Sequence, residues 1–300
     1  MSDSKQQFKV NFWGVRGSIP CPGAETVRYG GNTPCIEMIA GGERLIFDGG
    51  TGLRVLGQSL MSQLPVEAHM FFTHSHWDHI QGFPFFVPAF VNVNKFNIYG
   101  VVAPNGATIK QRLHDQMLHP NFPVPLQIMQ ADLKFFSLEV GEVLQIGDVT
   151  IENAKLNHPG EAVGYRVNWR GVSAAYITDT EHYPDHIDEQ VLKLADNADV
   201  VIIDAAYTDS EYHDPKSSKV GWGHSTWQEA VKVAKAANVK QLVIFHHDPL
   251  HNDDFLDKIA EEAASEFSNT VLAREGMSIV LNPQGNVKDQ KATESQELSV

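Results

Sequence analysis

Three histidines and an aspartate crowd into six residues at His74-Ser75-His76-Trp77-Asp78-His79. The run follows the apolar stretch Met70-Phe71-Phe72 and leads into Ile80-Gln81-Gly82, so a tight loop just past a strand end can turn these side chains toward one volume. Neutral imidazole and carboxylate are donors that suit zinc, manganese or iron. A solvated polar loop rarely collects four such groups at this spacing. Four further candidates stand one residue beyond an expected strand. They are His158 after Lys155-Leu156-Asn157, Asp179 after Tyr176-Ile177-Thr178, Asp204 after Val201-Ile202-Ile203 and His246 after Val243-Ile244-Phe245. Ligand sites in α/β sheets lie at the carboxyl ends of strands, and the shared position describes one rim. The donors suffice for two divalent ions. Such a pair, about 3.5 to 4 Å apart, lowers the pKa of a shared water and clamps the attacking and leaving oxygens of an in-line displacement.

The elements that must position these residues are legible in outline. Residues 8–47 read as short strands, with Gly41-Gly42 between two alternating stretches as a hairpin signal. Further strands are expected at 69–73, 96–99, 149–157, 162–167, 172–178, 199–203, 241–245 and 278–281. Trp227, Ala230, Val231 and Ala234 follow the helical period behind a capping signature at Ser225 and Gln228, and Phe255, Leu256, Ile259, Ala260 and Ala263 repeat the period. Weaker helical patterns cover 53–61, 107–118 and 185–195. Strands in runs with helices interspersed predict an α/β fold of two mixed sheets with helices outside. Residues 8–285 read as one domain, 84–147 as a pocket-shaping insertion, and 286–300, polar and poor in apolar residues, as a disordered tail.

Composition narrows the function. The 300 residues carry 23 basic and 37 acidic side chains, a net charge of −14. That balance disfavours a broad electrostatic footprint for nucleic acid, and leaves a small anionic ligand if positive charge is supplied locally. The chain is long enough to fold without disulfides, and Cys21 and Cys35 lack C-x-x-C spacing, which suits reduced thiols in a cytoplasm. Residues 1–7 carry no apolar signal core. The longest uncharged stretch, 80–94, contains Pro84 and Pro88 and is short for a membrane helix.

On its motifs the sequence resembles the metallo-β-lactamase superfamily: His-x-His-x-Asp-His at 74–79, Asn157-His158-Pro159-Gly160, Thr178-Asp179-Thr180 and Phe245-His246-His247. Asp204-Ala205-Ala206-Tyr207 and Gly223-His224-Ser225-Thr226 are similar to motifs of its tRNase Z and cyclic-phosphodiesterase branch. The resemblance runs from about residue 8 to 281. It implies an αββα sandwich with a dinuclear zinc site, manganese or iron being the alternatives. One ion falls to His74, His76 and His158, the other to Asp78, His79 and His246, with Asp179 and a hydroxide between them. It also implies that Asp204 and His224 form a proton-donating dyad, although the branch usually has Glu where this chain has Asp204. The chemistry of position supports the dyad, because a helix start beside His224 lowers its pKa and a neighbouring carboxylate raises it again.

Asp78, Asp204 and His224 are therefore the expected catalytic residues. Arg16, Arg28, His247 and His251 are candidate substrate contacts. Gly49-Gly50-Thr51-Gly52 reads as a turn, and the aromatic run at 83–90 as core, a base-stacking shelf or a dimer contact. His114 and His119 lie in the expected insertion, where they could reach the site. The first expectation is a phosphodiesterase on a small nucleotide, a 3′,5′-cyclic one among them, with hydroxide attacking phosphorus and His224 protonating the departing oxygen. A tRNA 3′-processing endonuclease is the nearest alternative, set second because no Gly- and Lys-rich arm is present. An acyl or thioester hydrolase leaves the Asp204 and His224 pair without a role. A non-catalytic metal sensor would not need so complete a donor set.

Overall fold

The computed structural model of the chain describes residues 7–283 and 287–290. Ladders of alternating residues build two sheets, and the side chains that point between them form the central core. The strands are β1 (Phe8–Gly14), β2 (Cys35–Ala40), β3 (Glu43–Phe47), β4 (Glu67–Phe72), β5 (Lys95–Val101), β6 (Asp132–Leu138), β7 (Val143–Ile146), β8 (Val149–Lys155), β9 (Val163–Trp169), β10 (Val172–Ile177), β11 (Val200–Asp204), β12 (Gln241–Phe245), β13 (Thr270–Leu272), β14 (Ser278–Leu281) and β15 (Val287–Gln290). The helices are α1 (Gly52–Leu60), α2 (Trp77–Ile80), α3 (Ile109–Asp115), α4 (Glu189–Ala195), α5 (Asp209–Tyr212), α6 (Trp227–Ala236) and α7 (Asp253–Glu266).

The first sheet runs β15-β14-β1-β2-β3-β4-β5-β6 and the second β13-β12-β11-β10-β9-β8-β7. Each is antiparallel in one part and parallel in the other, with β3 to β6 parallel in the first and β10 to β13 in the second. Strands covered on both faces read as unbroken apolar runs, and β11 shows why. Its Val200 and Ile202 enter the core between the sheets, while Val201 and Ile203 enter the layer under α4, α6 and α7. The opposite outer layer packs Leu53 and Leu56 of α1 and Leu113 of α3 on Met70 and Phe72. The result is the expected αββα sandwich.

The hairpin between β2 and β3 turns at Gly41 and Gly42, whose φ of +62° and +92° L side chains rarely adopt. The helix expected to start at Ser225 begins instead one residue later. Thr226 is its cap, accepting from the Glu229 amide at 3.3 Å, because the Ser225 hydroxyl is taken by His182 Nδ1 at 2.9 Å. Residues 84–147 are not an insertion, since β5 and β6 continue the first sheet in parallel and β7 closes the second. Of the tail expected at 286–300, Val287–Gln290 pairs as a strand with β14, and residues 286 and 291–300 lie outside the described residues. Among the described residues no helix is long and apolar enough to cross a membrane.

Candidate metal centre

The carboxyl ends of β3, β4, β8, β10, β11 and β12 meet at one edge of the sandwich, and both sheets contribute. Cross-sheet bonds fix that edge: the Tyr165 hydroxyl donates to the Phe72 carbonyl at 2.8 Å, and the Val163 amide to the Thr73 carbonyl at 3.1 Å. Asp48, Asp179 and His246, each within two residues of a strand end, have φ of +61°, +53° and +63°. This left-handed backbone costs on the order of 1 to 3 kcal/mol per residue and persists only where surrounding contacts enforce it. Here it turns each side chain inward.

The structure brings His74, His76 and His158 together as one group, and Asp78, His79, Asp179 and His246 as another. Around a single tetrahedral ion with bonds near 2.1 Å, donor atoms stand roughly 3.4 Å apart. His76 Nδ1 and His158 Nε2 are 3.1 Å apart, and both His158 Nε2 and His74 Nε2 lie within 3.8 Å of Asp179 Oδ1. In the second group, His79 Nε2 and His246 Nε2 lie 3.1 and 3.3 Å from Asp179 Oδ2, and each is 3.3 Å from Asp78 Oδ2. The Nε2 atoms of His74 and His79 are buried without a hydrogen-bond partner. Orphaned nitrogens at this spacing fit a metal.

The other ring nitrogens of His74, His79 and His158 are already used, which orients those donors. His158 Nδ1 is 2.8 Å from the Gly223 carbonyl and His74 Nδ1 is 3.0 Å from Thr73 Oγ1. The electrostatics agree. Burial pushes the imidazoles of His74, His76 and His158 down toward the neutral, ligating form. Burial would raise the Asp179 carboxyl, but His246, His79 and His74 hold it well below the usual carboxylate range. His79 departs from the pattern: against the pull of burial, Asp179, Asp78 and Asp48 push it well above its ordinary value. Carboxylate is thus in excess around this ring, which is the balance a cation corrects.

Asp48, which its sequence context does not single out, is a member of the site. It accepts from the Thr73 amide at 2.9 Å and the Tyr176 hydroxyl at 2.9 Å, and pairs with His79 Nδ1 at 2.8 Å. A carboxylate behind a ligating histidine fixes its tautomer and is worth about 10- to 100-fold in metal affinity. Asp48→Ala strands three buried donors and is expected to cost about 3 to 5 kcal/mol, with Asp48→Asn intermediate, read by urea denaturation alongside retained metal per chain. The Gly-Gly turn after Asp48 braces the ligand loop as well. The Gly49 amide donates to the His79 carbonyl at 2.7 Å, and a Cβ on Gly50 would stand 2.3 Å from the Asp78 carbonyl oxygen.

His224 Nδ1 lies 2.7 Å from Asp204 Oδ2, and its ring stacks on His246 at 4.8 Å. Burial pulls the imidazolium down, but Asp204 outweighs it and pushes the pKa up to about 9. The carboxylate thus favours the protonated form of the ring. Glu181 fixes the loop before it, accepting from the Tyr212 hydroxyl, the Gly221 amide at 2.6 Å and the Gly223 amide at 2.9 Å.

The expected substrate contacts stand elsewhere. Arg16 is fully buried and donates to the carbonyls of Gly30, Asp248 and His251 at 2.9, 3.2 and 2.6 Å. Arg28 pairs with Asp253, Asp254 and Asp257. His247 is buried with Nε2 2.7 Å from the Ala273 carbonyl, and His251 pairs with Glu211 at 2.7 Å. Arg16 and Arg28 staple the segment after β1 to the segment after β12, while His247 and His251 tie the latter to the residues after β13 and to α5. Arg16→Ala is expected to lose about 3 to 5 kcal/mol of stability, since it uncouples a buried cation from its partners, while metal content of the folded fraction is unchanged. His114 faces Asp115 and His119 is exposed, so neither reaches the cluster. Most of the aromatic run is core, with Phe83 and Phe86 buried and Phe85 exposed.

A family model described as the beta-lactamase superfamily domain matches residues 43–247. The chain is 26% identical to a protein named Ribonuclease Z from Archaeoglobus fulgidus, over 91% of this chain and 97% of that one. Among solved structures, the metallo-beta-lactamase fold protein YhfI from Bacillus subtilis is similar at a TM-score of 0.67 and 22% identity, covering 92% of this chain and 100% of that one. The short form of human tRNase Z is similar at 0.62 and 19%, covering 90% and 98%. The relatives named for ribonuclease activity correct the expectation that nucleic acid is not a partner. Net charge is a sum over the whole surface and does not describe the charge at a single rim.

Proposed function

Because this chain belongs to the beta-lactamase superfamily and is a metal-dependent hydrolase of that fold, we propose that it hydrolyses phosphodiester bonds in RNA, with 3′ processing of tRNA precursors as its reaction. The observation that carries the reading is His224, held by Asp204 at 2.7 Å beside the donor cluster. A phosphodiester has an alkoxide to expel and needs such an acid. The relatives named Ribonuclease Z support RNA over the cyclic nucleotide that the sequence reading placed first.

His74, His76 and His158 would hold one divalent ion, and Asp78, His79 and His246 the other, with Asp179 between them. Zinc suits this nitrogen-rich set. When bound, the ions supply an acidified water and positive charge opposite the phosphate oxygens. The reaction consumes one water: its oxygen bonds to phosphorus and gives up a proton to solvent, the bond from phosphorus to the leaving oxygen breaks, and His224 gives that oxygen its proton and regains one from solvent. Asp204 keeps Nδ1 engaged, so the proton leaves from Nε2. Asp48 and the Gly223 carbonyl hold His79 and His158 in register meanwhile.

The metal-loaded protein incubated with a tRNA precursor bearing a 3′ trailer is expected to release the trailer. An intact precursor together with turnover of cyclic AMP would restore the small-nucleotide reading.

A further inference from the structure

The ligand loop has a second face that the donor cluster does not use. Ser75 and Trp77 alternate along it with His74, His76 and Asp78, and they line a groove of about 640 Å³ completed by Phe85, Arg112 and Phe122. Trp77 is 80% exposed and Phe85 53%, an unusual amount of aromatic surface to leave in water beside a polar centre. The Phe85 ring stands edge-on to Phe122 at 5.5 Å.

Arg112 gives the groove its charge. Its guanidinium donates to the Val101 carbonyl, to Ser75 Oγ at 3.3 Å and to the Thr108 carbonyl at 3.5 Å, all neutral acceptors, which leaves two of its five N–H groups unused. Among the described residues no carboxylate pairs with it. Asp115, the acid in the groove, accepts from Gln111 Nε2 at 2.6 Å and lies 3.1 Å from His114 Nδ1. An exposed indole next to an uncompensated guanidinium is the chemistry that takes up a nucleotide, the base stacking on the ring and the phosphate facing the fork.

Position tells which nucleotide. The rings of His76, His158 and His224 form a row, with centroids 4.9 and 5.2 Å apart. His224 stands at one end beside the departing oxygen, and the groove adjoins the other end, on both sides of His76. Resting on the phosphodiesterase reading above, we propose that this groove binds the nucleotide that keeps the phosphate after cleavage, with its base stacked on Trp77 and its backbone facing Arg112.

Titration calorimetry of the metal-loaded protein with adenosine 5′-monophosphate and with ribose 5-phosphate, which lacks the base, tests this without turnover. The nucleotide is expected to bind about tenfold tighter than the sugar phosphate. Trp77→Ala is expected to erase that preference and Trp77→Phe to keep most of it. Equal binding of the two compounds by the unmodified chain, or a preference that survives in Trp77→Ala, would overturn the assignment. So would a dimer in sedimentation equilibrium that Trp77→Ala dissolves, because a second copy would then fill the groove. A protein that shows the Trp77-dependent preference yet cleaves no phosphodiester refutes the RNA reading and leaves the groove a nucleotide site.

Discussion

His224→Ala is expected to lower kcat on an RNA phosphodiester by about 10²- to 10⁴-fold, the range that a positioned general acid contributes. The loss should be far smaller on bis(p-nitrophenyl) phosphate, because p-nitrophenolate is weakly basic and departs without a proton. That contrast separates acid catalysis from damage to the metal centre. His224 Nδ1 is occupied by Asp204 at 2.7 Å, and in this reading Nε2 serves as the donor. Asp204→Asn should follow the same leaving-group pattern with a smaller loss, since an amide can still orient the ring but no longer opposes burial, which alone pulls the imidazole down. Equal losses on both substrates, with metal content intact, would remove His224 from the acid role.

Chelation of the metal should produce a large change in stability. Ions that bind only the folded chain contribute on the order of 4 kcal/mol at a thousandfold excess over Kd. At about 2.1 cal/mol/K of unfolding entropy per residue, each kcal/mol moves the Tm of a chain of this size by roughly 1.5 °C. Calorimetry with and without EDTA should therefore show a drop of roughly 6 °C for each ion bound. Asp179→Asn should abolish most of that response, because Asp179 lies within reach of donors from both groups, 3.8 Å from His74 Nε2 and 3.1 Å from His79 Nε2. A full EDTA response in Asp179→Asn would show that the ions sit elsewhere.

The rim was legible because its donors follow apolar strands and local hydrophobicity marks where strands end. Residues at 74–79, 158, 179, 204 and 246 all fall at such ends. What escaped depended on partners distant in the chain. Asp48 precedes a Gly-rich turn and looks like part of it, and its role shows only when Tyr176, 128 residues away, is seen to donate to it. Arg16 and His247 looked like free polar groups because no local pattern reveals that each ends on a backbone carbonyl. Strand β6 was hidden by Asp132 and Lys134, whose charge suits its place at the open edge of the first sheet. Strand β13, three residues long, carries too little alternation to register.

The donors come from both sheets, and Asp78 and His246 stand 168 residues apart. A chain emerging from the ribosome can display the complete His74 loop and still lack His158 until β8 has formed and His246 until β12 has docked. Tight ion capture thus waits for the last parallel strands to assemble, so loading reports the completion of folding rather than guiding its start. A truncation that spares the ligand loop but removes β12 would be invisible to a search for the motif and useless as a centre.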